Sequence, residues 1–155
     1  MRMACSLTGW RDGSHSCDSD QCRRYLGIAS KDALECGHQC YGVDGESFPC
    51  IEEVCENRTV ALAAAADDWC AICYVATLRE APCIGLACTH VFHAECIKER
   101  ISMGRPRARL SFSFLDCPMC NVRIDATEAP YLRDLTTPHL HLEAKVQKKA
   151  LQRWG

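Results

Sequence analysis

Only short stretches of this 155-residue chain carry a regular pattern of apolar and polar positions. Ala94 to Met103 is made of helix formers, with Ile97 and Ile101 four apart on one face, and Gly104 is placed to end the helix. Arg109 to Leu115 alternates instead. Leu110, Phe112 and Phe114 fall on one side and Ser111 and Ser113 on the other, which predicts a half-buried strand leading into Cys117. Val60 to Ala66 has high helix propensity and no turn residue, and reads as a linker or a short helix. Towards the end, Ala129-Pro130 and Thr136-Thr137-Pro138 punctuate the chain. Thr137 can cap a helix whose first position is Pro138, where the missing amide proton costs nothing. His139 to Trp154 then runs without a breaker, with Leu140, Ala144, Leu151 and Trp154 as an apolar stripe. Lys145, Lys148, Lys149 and Arg153 load its carboxyl end, where the helix dipole favours cations.

These elements supply too little patterned apolar surface for an ordinary core, and composition points to what replaces it. Fourteen cysteines are spread through the chain. Such a density fits either a disulfide framework or metal sites. The amino-terminal residues Met1 to Ser6 hold no apolar run of the kind a secretory signal needs, and no segment is long and apolar enough to span a membrane. A reducing intracellular compartment, cytoplasmic or nuclear, and metal thiolates are the consistent expectation. The formal net charge of −2 argues against nucleic acid as the main partner of the whole chain. Lys98, Arg100, Arg105, Arg107, Arg109 and Arg123 form a local basic region, which reads first as a solvated face and second as a site for an acidic partner.

The candidate chemistry lies in one ordered set of ligands: Cys70, Cys73, Cys88, His90, His93, Cys96, Cys117 and Cys120. The spacing C-x2-C-x14-C-x-H-x2-H-x2-C-x20-C-x2-C fills two tetrahedral zinc sites with none left over. Each C-x2-C turn can present two thiolates to one ion. The half-sites Cys88/His90 and His93/Cys96 sit too close together to share an ion comfortably, yet the sequence permits sequential as well as interleaved pairing. Upstream, Cys36, His38, Cys40, Cys50 and Cys55 are enough for a third zinc. Cys36, Cys40, Cys50 and Cys55 would make a four-thiolate site, with His38 able to replace any one of them. Cys17 and Cys22 are a weaker pair, and His139 and His141, with no cysteine nearby, read as exposed helix residues.

The eight-ligand order, with Ile72 before the second cysteine and Pro118 after the seventh ligand, resembles a RING domain carrying histidine at both the fourth and fifth positions. The resemblance implies a small zinc-stabilised α+β fold with cross-braced sites, Cys70, Cys73, His93 and Cys96 on one ion and Cys88, His90, Cys117 and Cys120 on the other. The segments Asp67 to Cys73, Cys88 to Cys96 and Arg109 to Cys120 are similar to the Pam/Highwire ubiquitin ligases, as are Cys36-Gly37-His38-Gln39-Cys40 and the lysine-rich stretch from Lys145 to Trp154.

The expected organisation is an irregular segment over 1–34, a Cys/His-rich zinc element over 35–56, a linker over 57–68, the RING over 69–125, and a linker and helix over 126–155. A RING has no nucleophile of its own and acts by positioning. The resemblance implies that Ile72, Pro118 and, more weakly, Met119 contact a ubiquitin-charged conjugating enzyme that serves an unknown protein substrate. Many active members carry arginine or lysine after the last ligand. Here the residue is Asn121, which lacks the charge and the fork of arginine and leaves an inactive adaptor as the alternative. The family's cysteine relay lies in a further zinc-rich domain, and Cys83 matches no relay position, so no relay is expected within these residues.

Overall fold

The smallest unit of the fold is a hairpin. Strands β1 (Cys83–Gly85) and β2 (Val91–His93) pair antiparallel, with Cys83 opposite His93, Ile84 opposite Phe92 and Gly85 opposite Val91. The structure is a computed structural model, and it describes residues 19–56, 62–104, 111–125 and 129–154. The hairpin loop is closed by the amide of Leu86 donating to the carbonyl of His90 and that of Thr89 to Leu86 (2.9 and 2.8 Å). It holds Cys88 and His90. A helix, Ala94–Met103, follows His93 directly and ends at Gly104, whose φ of +43° suits a residue without a side chain. Ile97 and Ile101 point inward and are fully buried, as their spacing requires.

Around that hairpin and helix lies one core, which includes Ile51, Leu78, Ile84, Phe92, Ile97, Ile101, Leu115 and Leu132. The upstream Cys-rich element shares it. Tyr41, Phe48 and Ile51 belong to the same cluster, the Cys83 amide donates to the Tyr41 carbonyl (2.6 Å), and the Ala66 amide donates to Ile51 (2.9 Å). Gly42 pairs with Cys83 and lies against Phe48, where a Cβ would stand 2.4 Å from the Phe48 Cβ. The upstream element is therefore built onto the RING hairpin through a common core.

Several local expectations are corrected. The segment 1–34 is not irregular throughout, because Asp20–Ile28 is a helix; Ser19 caps it by accepting the Cys22 amide (3.2 Å), and Cys22 is buried against Ala81. Cys17 lies outside the described residues, as do Arg109 and Leu110. The expected strand into Cys117 is instead a single 3-10 turn at Ser113–Leu115, in which the neighbours Phe114 and Leu115 are both buried. A strand would place them on opposite faces. Within Val60 to Ala66, Val60 and Ala61 lie outside the described residues, and Leu62 to Ala66 are irregular, with a bend at Leu62 and Ala63 and no helix. Ala64, Ala65 and Ala66 are all buried, and three consecutive buried positions leave no solvent face for a surface helix.

The carboxyl-terminal helix begins earlier than expected. It spans Pro130–Trp154, with Pro130 in the first position and Pro138 inside. Pro138 cannot donate to the carbonyl four residues back. The helix continues because Leu132 and Thr136 are anchored in the core, and the hydroxyls of Thr136 and Thr137 donate to the carbonyls of Leu132 and Arg133 (3.0 and 2.7 Å). That anchoring also fixes the helix phase. His139 meets the Phe114 ring edge-on at 5.0 Å and Glu143 accepts from Arg123 at 2.8 Å, while the expected apolar stripe is outward, with Leu151 73% and Trp154 86% exposed. Numbering the α-helices in chain order, Asp20–Ile28 is α1, Ala94–Met103 is α2 and Pro130–Trp154 is α3. At its start, Tyr131 donates its amide to Glu46 (2.6 Å) and its hydroxyl to Glu95 (2.7 Å), tying α3 to the upstream element and to α2. Among the described residues, no helix is long and apolar enough to cross a membrane.

Candidate metal centres

Among the described residues, three groups of side chains bring four metal-ligating atoms within 4.8 Å of one another: Cys70, Cys73, His93, Cys96; Cys88, His90, Cys117, Cys120; and Cys36, His38, Cys50, Cys55. The first two follow the interleaved pairing. Each group has three thiols and one imidazole, a donor set suited to zinc.

In the first group, the turn at Cys70 to Cys73 is shaped by the backbone. The Tyr74 amide donates to the Cys70 carbonyl (2.9 Å) and the Cys70 amide to Ala76 (3.1 Å), with Tyr74 at φ +53°. The second C-x2-C repeats it. The Asn121 amide donates to Cys117 (2.9 Å), the Cys117 amide to Val122 (2.8 Å), and Asn121 has φ +59°. His93 ends β2 and precedes α2, which puts Cys96 in the first helical turn beside it.

The ring of His93 is oriented from behind. Its Nε2 donates to the Thr77 carbonyl (2.9 Å), which turns Nδ1 toward Cys73 and Cys96 at 3.6 and 3.7 Å, the nitrogen a metal would take in place of a proton. In the second group His90 Nδ1 lies 3.6 Å from the Cys117 sulfur. A tetrahedral ion with Zn–S of about 2.3 Å and Zn–N of about 2.05 Å would hold sulfur and nitrogen about 3.6 Å apart. The residues fit the ion.

Thiol electrostatics point the same way. In each group one thiol is depressed and another raised. Cys70 is lowered to about 3, first by the hydrogen bond from Cys96 and against its own burial, while Cys96 is pushed up, chiefly by Cys70. Burial lowers His93, but the hydrogen bond and charge of Cys70 outweigh it and raise the imidazole to about 9. Burial raises Cys88 to about 11, whereas the Val122 amide lowers Cys120. Upstream, the His38 amide lowers Cys36 to about 7 and burial raises Cys50 to about 12. Each group thus pairs a thiol eased toward ionisation with one held protonated by its surroundings, and a divalent cation would favour the thiolate at every sulfur.

In the upstream group the four-thiolate alternative is not what forms. Of the five candidates His38 joins the group and Cys40 does not, because Cys40 turns into the core, 96% buried, with its sulfur accepting from the Gly42 amide (3.4 Å). Gly37 at φ +79° reverses the chain between Cys36 and His38. Among the described residues the buried Nδ1 of His38 has no hydrogen-bond partner, as suits a ring held in a metal site. Cys83 is a structural thiol, fully buried and directed at the carbonyls of Leu78 and Ala81 (3.0 and 3.3 Å), with burial pushing its pKa up. His139 and His141 join no ligand group among the described residues.

Of the expected contact residues, Ile72 packs partly into the core, Pro118 is half-buried and Asn121 is exposed. The two C-x2-C turns and their flanks also expose Trp69, Tyr74, Val75, Met119 and Val122, from 52% to 77%. Tyr74 and Val75 were not singled out by sequence reasoning, which had no reason to favour them over any loop residue. Thr77 escaped notice for a clearer reason: its contribution to the first group is a backbone carbonyl, which leaves no mark on residue type.

No protein-family model matches the chain. It is 34% identical over 158 residues to the E3 ubiquitin-protein ligase MYCBP2 of Danio rerio, an alignment that takes in 97% of this chain and 3% of that protein. It is 36% identical over 163 residues to the E3 ubiquitin-protein ligase highwire of Drosophila melanogaster, covering 96% of this chain and again 3% of the relative. The chain therefore spans about 3% of the length of these curated relatives. In ligand order, fold and sequence together, the chain is similar over nearly its whole length to a short stretch of the Pam/Highwire ubiquitin ligases, and its Cys/His groups are those of a RING-type metal-binding arrangement.

Proposed function

We propose that this chain is a RING-type E3 ubiquitin-protein ligase module that binds a ubiquitin-charged conjugating enzyme and promotes transfer to a protein substrate. The observation that carries the reading is the interleaving of the two C-x2-C turns with the His90–Cys96 segment, which sets two zinc turns and α2 in fixed relation. Zinc, when bound in Cys70, Cys73, His93, Cys96 and in Cys88, His90, Cys117, Cys120, supplies shape; with four protein ligands on each ion there is no open position for a substrate. A third ion belongs in Cys36, His38, Cys50, Cys55.

The protein's own residues do the rest. Ile72 and Pro118, with the exposed Trp69, Val75 and Met119 beside them, offer apolar contact to the conjugating enzyme. Transfer is then favoured by orientation of the charged enzyme. The partners of this reading are the conjugating enzyme, ubiquitin and a substrate, within the cytoplasm or nucleus.

A second reading, an adaptor that binds without promoting transfer, is favoured by Asn121. It is a neutral residue at the position where a cation would bridge enzyme and ubiquitin. Incubation with activating enzyme, a panel of conjugating enzymes, ubiquitin and ATP separates the two. The ligase reading expects faster discharge of at least one charged enzyme, weakened in Ile72→Ala with zinc content unchanged. Binding without faster discharge by any member of the panel supports the adaptor.

A further inference from the structure

The upstream ligand group and the first RING group are joined by a continuous path. Glu52 lies in the segment between the ligands Cys50 and Cys55. The Glu52 carboxylate accepts from the Tyr41 hydroxyl on one oxygen and from Arg79 on the other (3.3 Å). Arg79 sits in the 3-10 turn Leu78–Glu80, which Thr77 caps. The Glu80 carboxylate accepts from the amide and the hydroxyl of Thr77 (2.6 and 3.0 Å), and the Glu80 amide returns to the Thr77 carbonyl (3.0 Å). That same carbonyl receives His93 Nε2 at 2.9 Å. A backbone route runs in parallel: Ile51 accepts the Ala66 amide (2.9 Å) and Ala66 accepts the Arg79 amide (3.0 Å).

We propose that metal held by Cys36, His38, Cys50 and Cys55 positions the ring of His93, acting through Glu52, Arg79 and the Thr77 turn, so that the upstream site is a working part of the RING. The inference rests on the zinc reading given above. Ligation of Cys50 and Cys55 fixes the segment between them, and Glu52 lies in that segment. With the segment released, the Arg79 side chain would keep, among the described residues, only Asp67 (2.7 Å), whose side chain is 69% exposed, against 16% for Glu52. An exposed pair restrains weakly, because solvent screens it. Thr77 would then lose the support of the turn it caps, and the His93 ring would lose the acceptor that holds its tautomer. Glu52, Arg79 and Thr77 are positioning residues. None belongs to a ligand group among the described residues.

The test uses the whole zinc-loaded chain as wild type, Glu52→Gln and Cys55→Ser. Zinc is counted by native mass spectrometry, and exchange of the His93 Nε2 proton with water is followed by proton–nitrogen NMR. The expected result is three ions and a slow His93 proton in wild type, two ions and exchange at least about fivefold faster in Cys55→Ser, and three ions with the same acceleration in Glu52→Gln. The ring signals of His90, in the other RING group, should not change. Should Cys55→Ser fail to fold, Glu52→Gln decides alone. Wild-type exchange in a three-ion Glu52→Gln overturns the coupling and leaves the zinc reading standing. A wild type that binds two ions, with the upstream group empty, overturns the coupling together with the third site and leaves the RING sites intact.

Discussion

Tyr74 and Asn121 hold the same left-handed backbone, with φ of 53° and 59°, each directly after the second cysteine of a C-x2-C turn. In both turns this residue donates its amide back to the first cysteine's carbonyl, at 2.9 Å. Both C-x2-C turns take this conformation although different residues supply it. Asparagine adopts it more readily than most residues, so Asn121 is suited to its backbone before any contact is considered.

Substitutions at Asn121 should therefore sort by backbone cost. Asn121→Gly should leave zinc content and unfolding midpoint nearly unchanged. Asn121→Val, β-branched in a left-handed position, should destabilise by about 1–2 kcal/mol. Asn121→Arg should cost about 1 kcal/mol and keep its metal, so that any gain in discharge of a conjugating enzyme can be assigned to the guanidinium. Denaturant unfolding at matched zinc content checks all three.

Cys40 and Cys55 should respond differently although both are buried cysteines in the upstream element. Cys40→Ala removes a core sulfur that accepts from Gly42 and should leave the ion count unchanged, at a cost of about 1–2 kcal/mol. Cys55→Ser and His38→Ala should each lower the count by one ion. Metal analysis of the purified variants is sufficient.

Gly42 lies where the upstream element touches the RING hairpin. Gly42→Ala would force a methyl to within 2.4 Å of the Phe48 Cβ, and should destabilise the chain by about 1–3 kcal/mol. Because the clash is with the Phe48 Cβ, Gly42→Ala combined with Phe48→Gly, which removes that atom, should cost less than the sum of the single changes. Thermal unfolding of the four proteins gives the cycle.

The parts legible in sequence are those set by covalent spacing or by a single local signal. The interleaved ligands could be picked out because cysteine and histidine at fixed intervals have few other uses, and α2 because Gly104 stands where its end requires. The choice of His38 over Cys40 was not legible. Five ligand types stood within reach, and the outcome depends on Cys40 facing Phe48 and Gly42 across a turn. Nor was the start of α3, because Pro138 looks like a first helical residue from sequence alone, and only the burial of Leu132 and Thr136 shows that the helix is already anchored a turn earlier. The segment before Cys117 misled for a related reason: alternation was real at Phe112 and Phe114, but Leu115 is also buried.

Pro138 gives a test of that helix. Inside α3 it removes a backbone donor, so Pro138→Ala should stabilise the chain, by up to about 3 kcal/mol, and raise the helical circular dichroism signal. Were Pro138 instead the first residue of a separate helix, the substitution would be neutral or mildly unfavourable.

The central claim is that all three metal centres have three sulfurs and one imidazole, and that the two in the RING are interleaved. Cadmium-113 NMR of the cadmium-substituted chain, correlated through the metal to cysteine and histidine protons, reads both features at once. The account predicts three resonances in the range for three sulfurs and one nitrogen, with Cys70 and His93 correlated to one ion and Cys117 and His90 to another. A resonance in the four-sulfur range correlated to Cys40, or an ion shared by Cys70 and His90, would contradict it.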